Sequence, residues 1–383
     1  MPMPASKERE AIIQIVERRV ELDNRFSKIR RLGPSGGHGH FSILFRAYDK
    51  ATDKDVALKF YDPLRTFASD AAYRFGSFER EARILEELSG EPDVIGWISP
   101  VNRFTEKFDA GGISLDLPFT YFALELAETD LGSVISAQTL TTEDILRRFN
   151  QMCRSIRRFH HLGYAHRDIK PSNFLIMSDG SVRLSDFGTA KKLNDNSPSL
   201  SASYIYPPGD LTYASPEILA ALLDDEPKLA FTADKFALAS VLFEMVTGVV
   251  LGLQLFDMRY REDLTKMMAA IKKGKRKEIF DRLIPSIADG HPLPNLFTFA
   301  PAVSFSILPL LDGLYKEMAH LDYRKRLDDF GRVRLRIESC LKVLKNEEGY
   351  RRLRERRQRA KAAREARFAR SSARAEAEKK ERS

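Results

Sequence analysis

Residues 8–26 place Ile12, Ile15, Val16, Arg19 and Leu22 at helical spacing, a partial apolar stripe ahead of the first glycines that predicts a leader helix. Residues 41–48 and 55–61 read instead as strands, joined by the polar turn 49–54. Helical periodicity returns over 75–88, through Phe78, Ala82, Leu85 and Leu88. A further strand ends in FALEL at 121–126; a polar turn and a long helical stretch, 143–162, follow it. Short strand-like runs at 174–177 and 182–184 come before sequence that is mostly helical from Ala233 onward. No internal repeat is present, and the segment 197–210, rich in Ser and Pro, is the clearest central loop. The pattern is α+β: a small β-rich half, then a larger α-rich half, with the cleft between them as the natural place for a ligand.

Composition narrows the class. The 383 residues are 43% hydrophobic and 30% charged, which fits a globular chain of two domains or one large two-lobed unit and excludes a wholly disordered or fibrous one. The two cysteines, Cys153 and Cys340, support neither a disulfide framework nor a thiolate zinc site, so a reducing compartment is the expectation. The N-terminal stretch has no apolar signal core, and the longest apolar candidate, 241–256, is broken by Glu244 and Thr247. A cytoplasmic location and no transmembrane segment are therefore expected.

Charge changes the picture at one end only. The net charge is +8, yet residues 351–383 hold 14 basic and 5 acidic side chains, or +9, leaving −1 for residues 1–350. This tail has no Gly or Pro, and Leu353 and Phe368 are its only large apolar side chains. It can be helical but has little to bury. A solvated charged helix is the plain reading; a partner protein or a nucleic acid is the functional one, and the missing apolar face argues against a membrane.

The run HRDIKPSNFLI at 166–176, followed by SDFG at 185–188, concentrates chemistry in two neighbouring segments. Asp168 and Asn173 stand five residues apart, so that one short loop presents both, and the strand 182–184 carries Asp186 to the same cleft. A single aspartate is more often a cap or a turn residue; this combination, with Lys170, is not explained that way. Upstream, VALK at 56–59 puts Lys59 at the end of a strand, and LGPSGGHGHFSIL at 32–44 offers a glycine-rich turn whose backbone N–H groups suit phosphates.

These motifs, in this order, resemble the eukaryotic-type protein kinase superfamily, and Ser/Thr protein kinases most, over roughly residues 29–344. The resemblance implies a bilobal kinase fold over 29–345, with an N-lobe of about 29–125 and a C-lobe of about 131–345, preceded by the leader helix, 1–28, and followed by the basic tail, 346–383. It also implies transfer of the ATP γ-phosphoryl group to Ser or Thr hydroxyls of a protein substrate. Asp168 would take or orient the acceptor proton, with Lys170 favouring Ser/Thr over Tyr chemistry. Asn173 and Asp186 would hold Mg²⁺ or Mn²⁺, and Lys59 would hold the α- and β-phosphates, oriented by Glu81 in preference to Glu79 or Glu86.

For the nucleotide, the resemblance places Gly37, Gly39, Phe41, Ser42 and Leu44 in the phosphate loop, with Ser42 where the family has its third glycine; Gly33 and Gly36 give a second register with poorer spacing. Ala57 and Leu124 would flank the adenine pocket, the backbone of Glu125, Leu126 and Ala127 would meet the adenine edge, and Asp130 would reach the ribose. Downstream, TYASPE at 212–217 resembles the end of an activation segment. There Glu217 is expected to pair with Arg324 and Asp234 to brace the catalytic loop. Asp210 follows Gly209 where many Ser/Thr kinases have threonine. Ser197, Ser199, Ser201, Ser203, Tyr204 and Tyr206 are candidate phosphate acceptors, with Arg167 as a partner for the charge. A small-molecule phosphotransferase and a catalytically silent kinase-like scaffold are the competing readings, the latter kept open by Ser42 and Asp210.

Overall fold

Alternation along three strands divides the small lobe into two cores. In the computed structural model, which describes residues 7–32, 42–62, 71–110, 113–193, 209–224, 228–255, 258–270, 275–299, 303–349 and 352–365 without 354, 358 and 362, the chain starts with helix α1 (Lys7–Glu17). Strands β1 (Glu21–Leu22), β2 (Phe26–Arg31), β3 (Ser42–Asp49) and β4 (Lys54–Tyr61) come next, then helix α2 (Ala71–Glu87). A long antiparallel hairpin of β5 (Trp97–Ala110) and β6 (Ile113–Glu125) completes a six-stranded sheet of order β1-β2-β3-β4-β6-β5.

Val56, Leu58 and Phe60 of β4 share a buried cluster with Phe45 of β3 and with Phe119 and Tyr121 of β6, where Phe60 stacks on Tyr121 at 4.8 Å. Ala57 and Tyr61, from the opposite face of β4, join Phe122 and Leu124 of β6 and Phe78, Ala82 and Leu85 of α2. Side chains alternate across a strand, so one sheet feeds both cores. Helix α1 covers the first through Ile12, Ile13 and Val16. The second is continuous with the interior of the larger lobe.

The leader helix expected over 8–26 is thus shorter: α1 stops at Glu17, and Glu21–Leu22 and Phe26–Arg31 belong to the sheet. Asp23 and Asn24, both at φ 53°, turn the chain there, and Val20 is 87% exposed. Arg19 lies with its guanidinium 4.1 Å from the centre of the Phe104 ring, and Leu22 is buried from a strand. A short apolar run does not distinguish the two periods, and the turn decided between them.

After β6 the chain passes through β7 (Thr129–Asp130) and α3 (Leu131–Ser136) into α4 (Thr142–His161), which starts in a capping box made by Thr141 and Asp144. Strands β8 (Tyr164–Ala165), β9 (Phe174–Ile176), β10 (Val182–Leu184) and β11 (Lys191–Lys192) form small antiparallel pairs: β9 with β10 and β7, and β8 with β11. Helices α5 (Pro216–Leu219), α6 (Leu229–Thr247), α7 (Leu251–Leu255), α8 (Met258–Ala270), α9 (Arg276–Gly290), α10 (Leu308–Met318) and α11 (Phe330–Lys345) complete the large lobe. Helix α6 is buried along most of its length, with α4 and α10 packed against it.

The lobes are joined by backbone as well as by packing. Ile95 N–H donates to Leu184 O and Leu184 N–H donates to Asp93 O, both at 3.0 Å, which fixes β10 beside the chain that leaves α2. Cys153 and Cys340 are buried free thiols, and burial pushes the Cys340 thiol up to about 11. Among the described residues no helix is long and apolar enough to cross a membrane.

Candidate active site

Register decides where the β4 lysine points. Lys59 pairs with Leu44 on β3 and with Phe122 on β6, and it shares the α2-facing side of β4 with Ala57. Lys59 Nζ donates to Glu81 Oε1 and Oε2 at 2.7 and 2.6 Å, and to Asp186 Oδ1 at 3.3 Å. Glu81 itself is 3% exposed among the apolar residues of α2. Of the other two glutamates considered, Glu79 binds Arg103 at 2.8 Å and Glu86 faces solvent.

The electrostatics follow from burial. Desolvation works against the Lys59 charge, but Asp186 and Glu81 outweigh it and raise the ammonium above its ordinary value. Desolvation also drives the Glu81 carboxyl up, with Asp186 adding to it and Lys59 opposing, so the Glu81 charge depends on its lysine. Burial likewise disfavours the Asp186 charge, yet Lys59, Lys170 and His166 together hold that carboxyl below its usual range.

Asp186 adopts φ 63° and precedes a 3-10 helix, Phe187–Thr189. Left-handed backbone is uncommon outside glycine, and here the surroundings enforce it. Phe187 is fully buried, 5.2 Å from the Phe159 ring and 5.5 Å from His166. From the other lobe, Ser77 Oγ donates to Gly188 O at 2.7 Å and Arg80 donates to the same oxygen. Helix α2 therefore holds the segment that carries Asp186 as well as the lysine.

The loop that carries Asp168 is braced from below. Asp234, 1% exposed on α6, accepts from His166 N–H and Arg167 N–H, each at 2.8 Å, and lies 2.9 Å from His160 Nε2. Arg167 is at φ 65°, and its Nε donates to Thr189 O at 2.7 Å, so its guanidinium is turned onto the segment after Asp186. Lys170 Nζ donates to Asp168 Oδ2 at 2.9 Å; burial lowers its affinity for a proton, but Asp168, Asp186 and Asp210 raise it overall. Asn173 Nδ2 donates to Asp168 O at 2.7 Å and to Oδ2 at 3.3 Å. Ser185 N–H and Oγ both donate to Asn173 O, at 2.9 and 3.1 Å, which brings Asn173 and Asp186 side by side.

The hydrogen bonds of Asn173 and Asp186 leave oxygen atoms free for a metal. Both Asn173 donations leave through nitrogen, so its amide oxygen takes no hydrogen bond among the described residues. Asp186 commits one oxygen to Lys59, and its side chain is 38% exposed to the cleft. Two hard oxygen donors with open space beside them fit a divalent cation whose remaining ligands are water and phosphate.

Nucleotide-side residues are placed unevenly. Gly33, Gly36, Gly37, Gly39 and Phe41 lie outside the described residues. Ser42 is the first residue of β3, 3% exposed, and so belongs to the strand and not to an open turn. Leu44 is half-buried beside Lys59, and Ala57 and Leu124 are paired across β4 and β6. The Glu125 N–H donates to Gly96 O at 2.9 Å and its carboxylate pairs with Arg183. Leu126 and Ala127 follow, half-buried. Asp130 caps α3, accepting from Ser133 N–H at 2.9 Å and Ser133 Oγ at 2.6 Å, so any ribose contact shares an already occupied carboxylate.

One expected partner is corrected. Glu217 does not meet Arg324, whose Nε and Nη2 fold back onto Asp322 at 2.9 and 2.8 Å within the 3-10 helix Tyr323–Lys325. Arg326, two residues on, grips Glu217 with both terminal nitrogens, and both side chains are fully buried. It also donates to His320 O at 2.6 Å and to Thr232 O at 3.2 Å. Asp322 captures the nearer arginine, and Arg326, ahead of the buried Leu327, enters the core. That apolar neighbour was the signal available in the sequence.

The segment before Glu217 touches the candidate base directly. Asp210 N–H donates to Asp168 Oδ1 at 2.7 Å, while Asp210 Oδ1 accepts from Thr212 N–H at 2.9 Å and Thr212 Oγ1 at 2.6 Å. Main chain, not a side-chain hydroxyl, thus reaches the base. Gly209 is at φ +89°, where a Cβ would stand 2.3 Å from Arg167 O. Ser197, Ser199, Ser201, Ser203, Tyr204 and Tyr206 lie outside the described residues.

A two-lobed fold with a paired lysine, a braced loop and two oxygen donors in its cleft defines a class of phosphoryl-transfer proteins. The profile of the protein kinase domain matches residues 31–328, and the chain belongs to that family. It is 33% identical to mitogen-activated protein kinase 15 of Caenorhabditis elegans, over 84% of this chain and 62% of that one. It is 30% identical to extracellular signal-regulated kinase 2 of Dictyostelium discoideum, over 55% of this chain and 52% of the relative. With cyclin-dependent kinase 7 of Xenopus laevis the identity is 31%, over 54% and 53%. The chain therefore spans between about half and 62% of the length of these relatives.

Two expectations follow from these contacts. Arg326→Ala leaves Glu217 buried without a partner and should cost about 3–5 kcal/mol in urea unfolding, whereas Arg324→Ala removes a 41%-exposed guanidinium from the buried Asp322, which keeps the residue-324 N–H, and should cost about 1–2 kcal/mol; equal losses would deny the Glu217–Arg326 pair the larger share. Gly209→Ala should lower phosphoryl transfer by about a hundredfold through displacement of Asp168, while Asp210→Asn, which keeps the acceptor oxygen for Thr212, should stay within about threefold of wild type. Initial rates with a peptide acceptor separate the two, and the reverse order would show that the Asp210 charge, not the backbone, matters.

Proposed function

We propose that this chain transfers the γ-phosphoryl group of ATP to Ser or Thr hydroxyls of protein substrates, within a kinase domain of 29–345. The observation that carries the reading is the convergence of Lys59, Glu81 and Asp186 with Asp168, Lys170 and Asn173 in one cleft. Lys59, kept charged and straight by Glu81, binds the α- and β-phosphates. Ala57 and Leu124 flank the adenine, and the backbone at Leu126 and Ala127 meets its polar edge. Asp168 orients the acceptor hydroxyl and takes its proton; Lys170, bonded to Asp168 Oδ2, lies where it neutralises charge on the transferred group.

Asn173 and Asp186 would hold Mg²⁺, with Mn²⁺ as a substitute. When bound, the ion neutralises charge on the phosphate oxygens. Phosphoryl transfer needs little covalent chemistry from the protein, so positioning by Asp234, Glu217 and Arg326 accounts for much of the rate. A cytoplasmic location is the reading that the two buried free thiols support. The basic segment within 346–383 takes no part in the cleft chemistry and is proposed as a contact for a partner.

Asp168→Ala should reduce transfer of labelled γ-phosphate from Mg-ATP to a Ser/Thr peptide pool by about 10²–10⁴-fold while leaving nucleotide binding intact. Equal turnover by the two proteins would remove Asp168 from the mechanism. Label appearing on a small-molecule hydroxyl and not on peptides would replace the acceptor class.

A further inference from the structure

We infer that Arg183 is a positioning residue for the nucleotide: through Glu125 it registers the strap that would meet the adenine with the residues that would hold the metal. The inference rests on the ATP reading proposed above. The strap is short. Leu126 and Ala127 lie between two anchors, and both anchors belong to the hairpin of β9 and β10. On one side the Glu125 carboxylate pairs with Arg183 of β10. On the other, Glu128 N–H donates to Ile176 O of β9 at 3.0 Å, and Thr129 and Asp130 of β7 pair with Ile176 and Leu175.

The other end of the same hairpin lies at the metal side. Its strands are held in register, Arg183 opposite Leu175 and Leu184 opposite Phe174. Asn173 immediately precedes β9, Asp186 stands two residues beyond β10, and Ser185 joins them by donating twice to Asn173 O. Arg183 and Asp186 are three residues apart, a reach of about 10 Å in extended chain. One short ladder therefore touches the strap at both of its ends and carries both oxygen donors.

The Ile176 anchor is main chain, so the Arg183–Glu125 pair is the part of this register that side chains set. Local packing gives the pair its geometry. Gly96 O accepts the Glu125 N–H at 2.9 Å, and Ile95 and Asp93 bond to Leu184, so the chain at 93–96 runs between β10 and Glu125. The Glu125 carboxylate folds over Gly96, where a Cβ would stand 2.7 Å from Oε2. Arg183 is largely buried, its Nε has no hydrogen bond among the described residues, and its Nη1 donates to Glu125. Without Glu125 the guanidinium would lose the charge that holds it in place.

Contacts to adenine are the same before and during transfer, so a loosened strap weakens ATP binding and spares the chemical step. In the full-length protein, Arg183→Gln and Glu125→Gln should each raise KM for ATP about three- to fivefold with kcat for peptide phosphorylation within about twofold of wild type. The double variant should be no weaker than either single one, and Arg183→Lys, which keeps the charge, should recover most of the affinity. Gly96→Ala, whose methyl group displaces the carboxylate, should reproduce the KM shift. Competition by inorganic tripolyphosphate with Mg²⁺ should be unchanged, because Lys59 and Asp186 keep their contact. An unchanged KM in an active Arg183→Gln protein, a fall in kcat alone, losses that add in the double variant, or an equal loss of tripolyphosphate affinity would each overturn the inference and leave the kinase reading standing. A wild-type protein that turns over no ATP would overturn that reading, and this inference with it.

Discussion

A single buried ammonium sets the geometry of this protein. Lys59 is 11% exposed at its side chain, and a charge in that position persists only if carboxylates come to it. One arrives from α2 and one from the segment after β10, so strand, helix and large lobe have to meet at one nitrogen. The contacts of Ser77 and Arg80 with Gly188 O reinforce the same meeting point. Moving α2 away would leave both Glu81 and Lys59 without their partner.

A second constraint holds the reacting side chains against this anchor. Asp168, Asn173 and Asp186 sit on irregular backbone, with Arg167 and Asp186 both in the left-handed region. Such backbone is costly and is kept by contacts from elsewhere. Asp234 supplies them beneath the loop, and the buried Arg326–Glu217 pair fixes the segment that returns through Gly209 to Asp168. In the proposed reaction the chemistry falls to a few polar side chains, and their placement to the charged groups Asp234, Glu217 and Arg326.

Legibility followed the physical origin of each feature. Strands β3 and β4 and helix α4 were readable because alternation and 3.6-residue spacing were sustained over whole elements. The cluster at Asp168, Lys170, Asn173 and Asp186 was readable because a short loop and a hairpin keep the residues close in sequence. The end of α1 was not, since Ile15 and Leu22 fit both periods until the turn at Asp23 and Asn24 is known. Arg326 was missed because two arginines stood two residues apart and tertiary capture by Asp322 chose between them. The Glu125 amide and carboxylate were likewise committed by Gly96 and Arg183, partners distant in sequence.

The central claim is that Lys59 and Glu81 act as one unit. A double-mutant cycle on kcat/KM for peptide phosphorylation, with Lys59→Ala, Glu81→Ala and the pair, measures this directly. If Glu81 works by holding Lys59, the double variant should be about as impaired as Lys59→Ala alone, with a coupling free energy of about 1–3 kcal/mol. Losses that simply add would contradict the account and give Glu81 a role independent of the lysine.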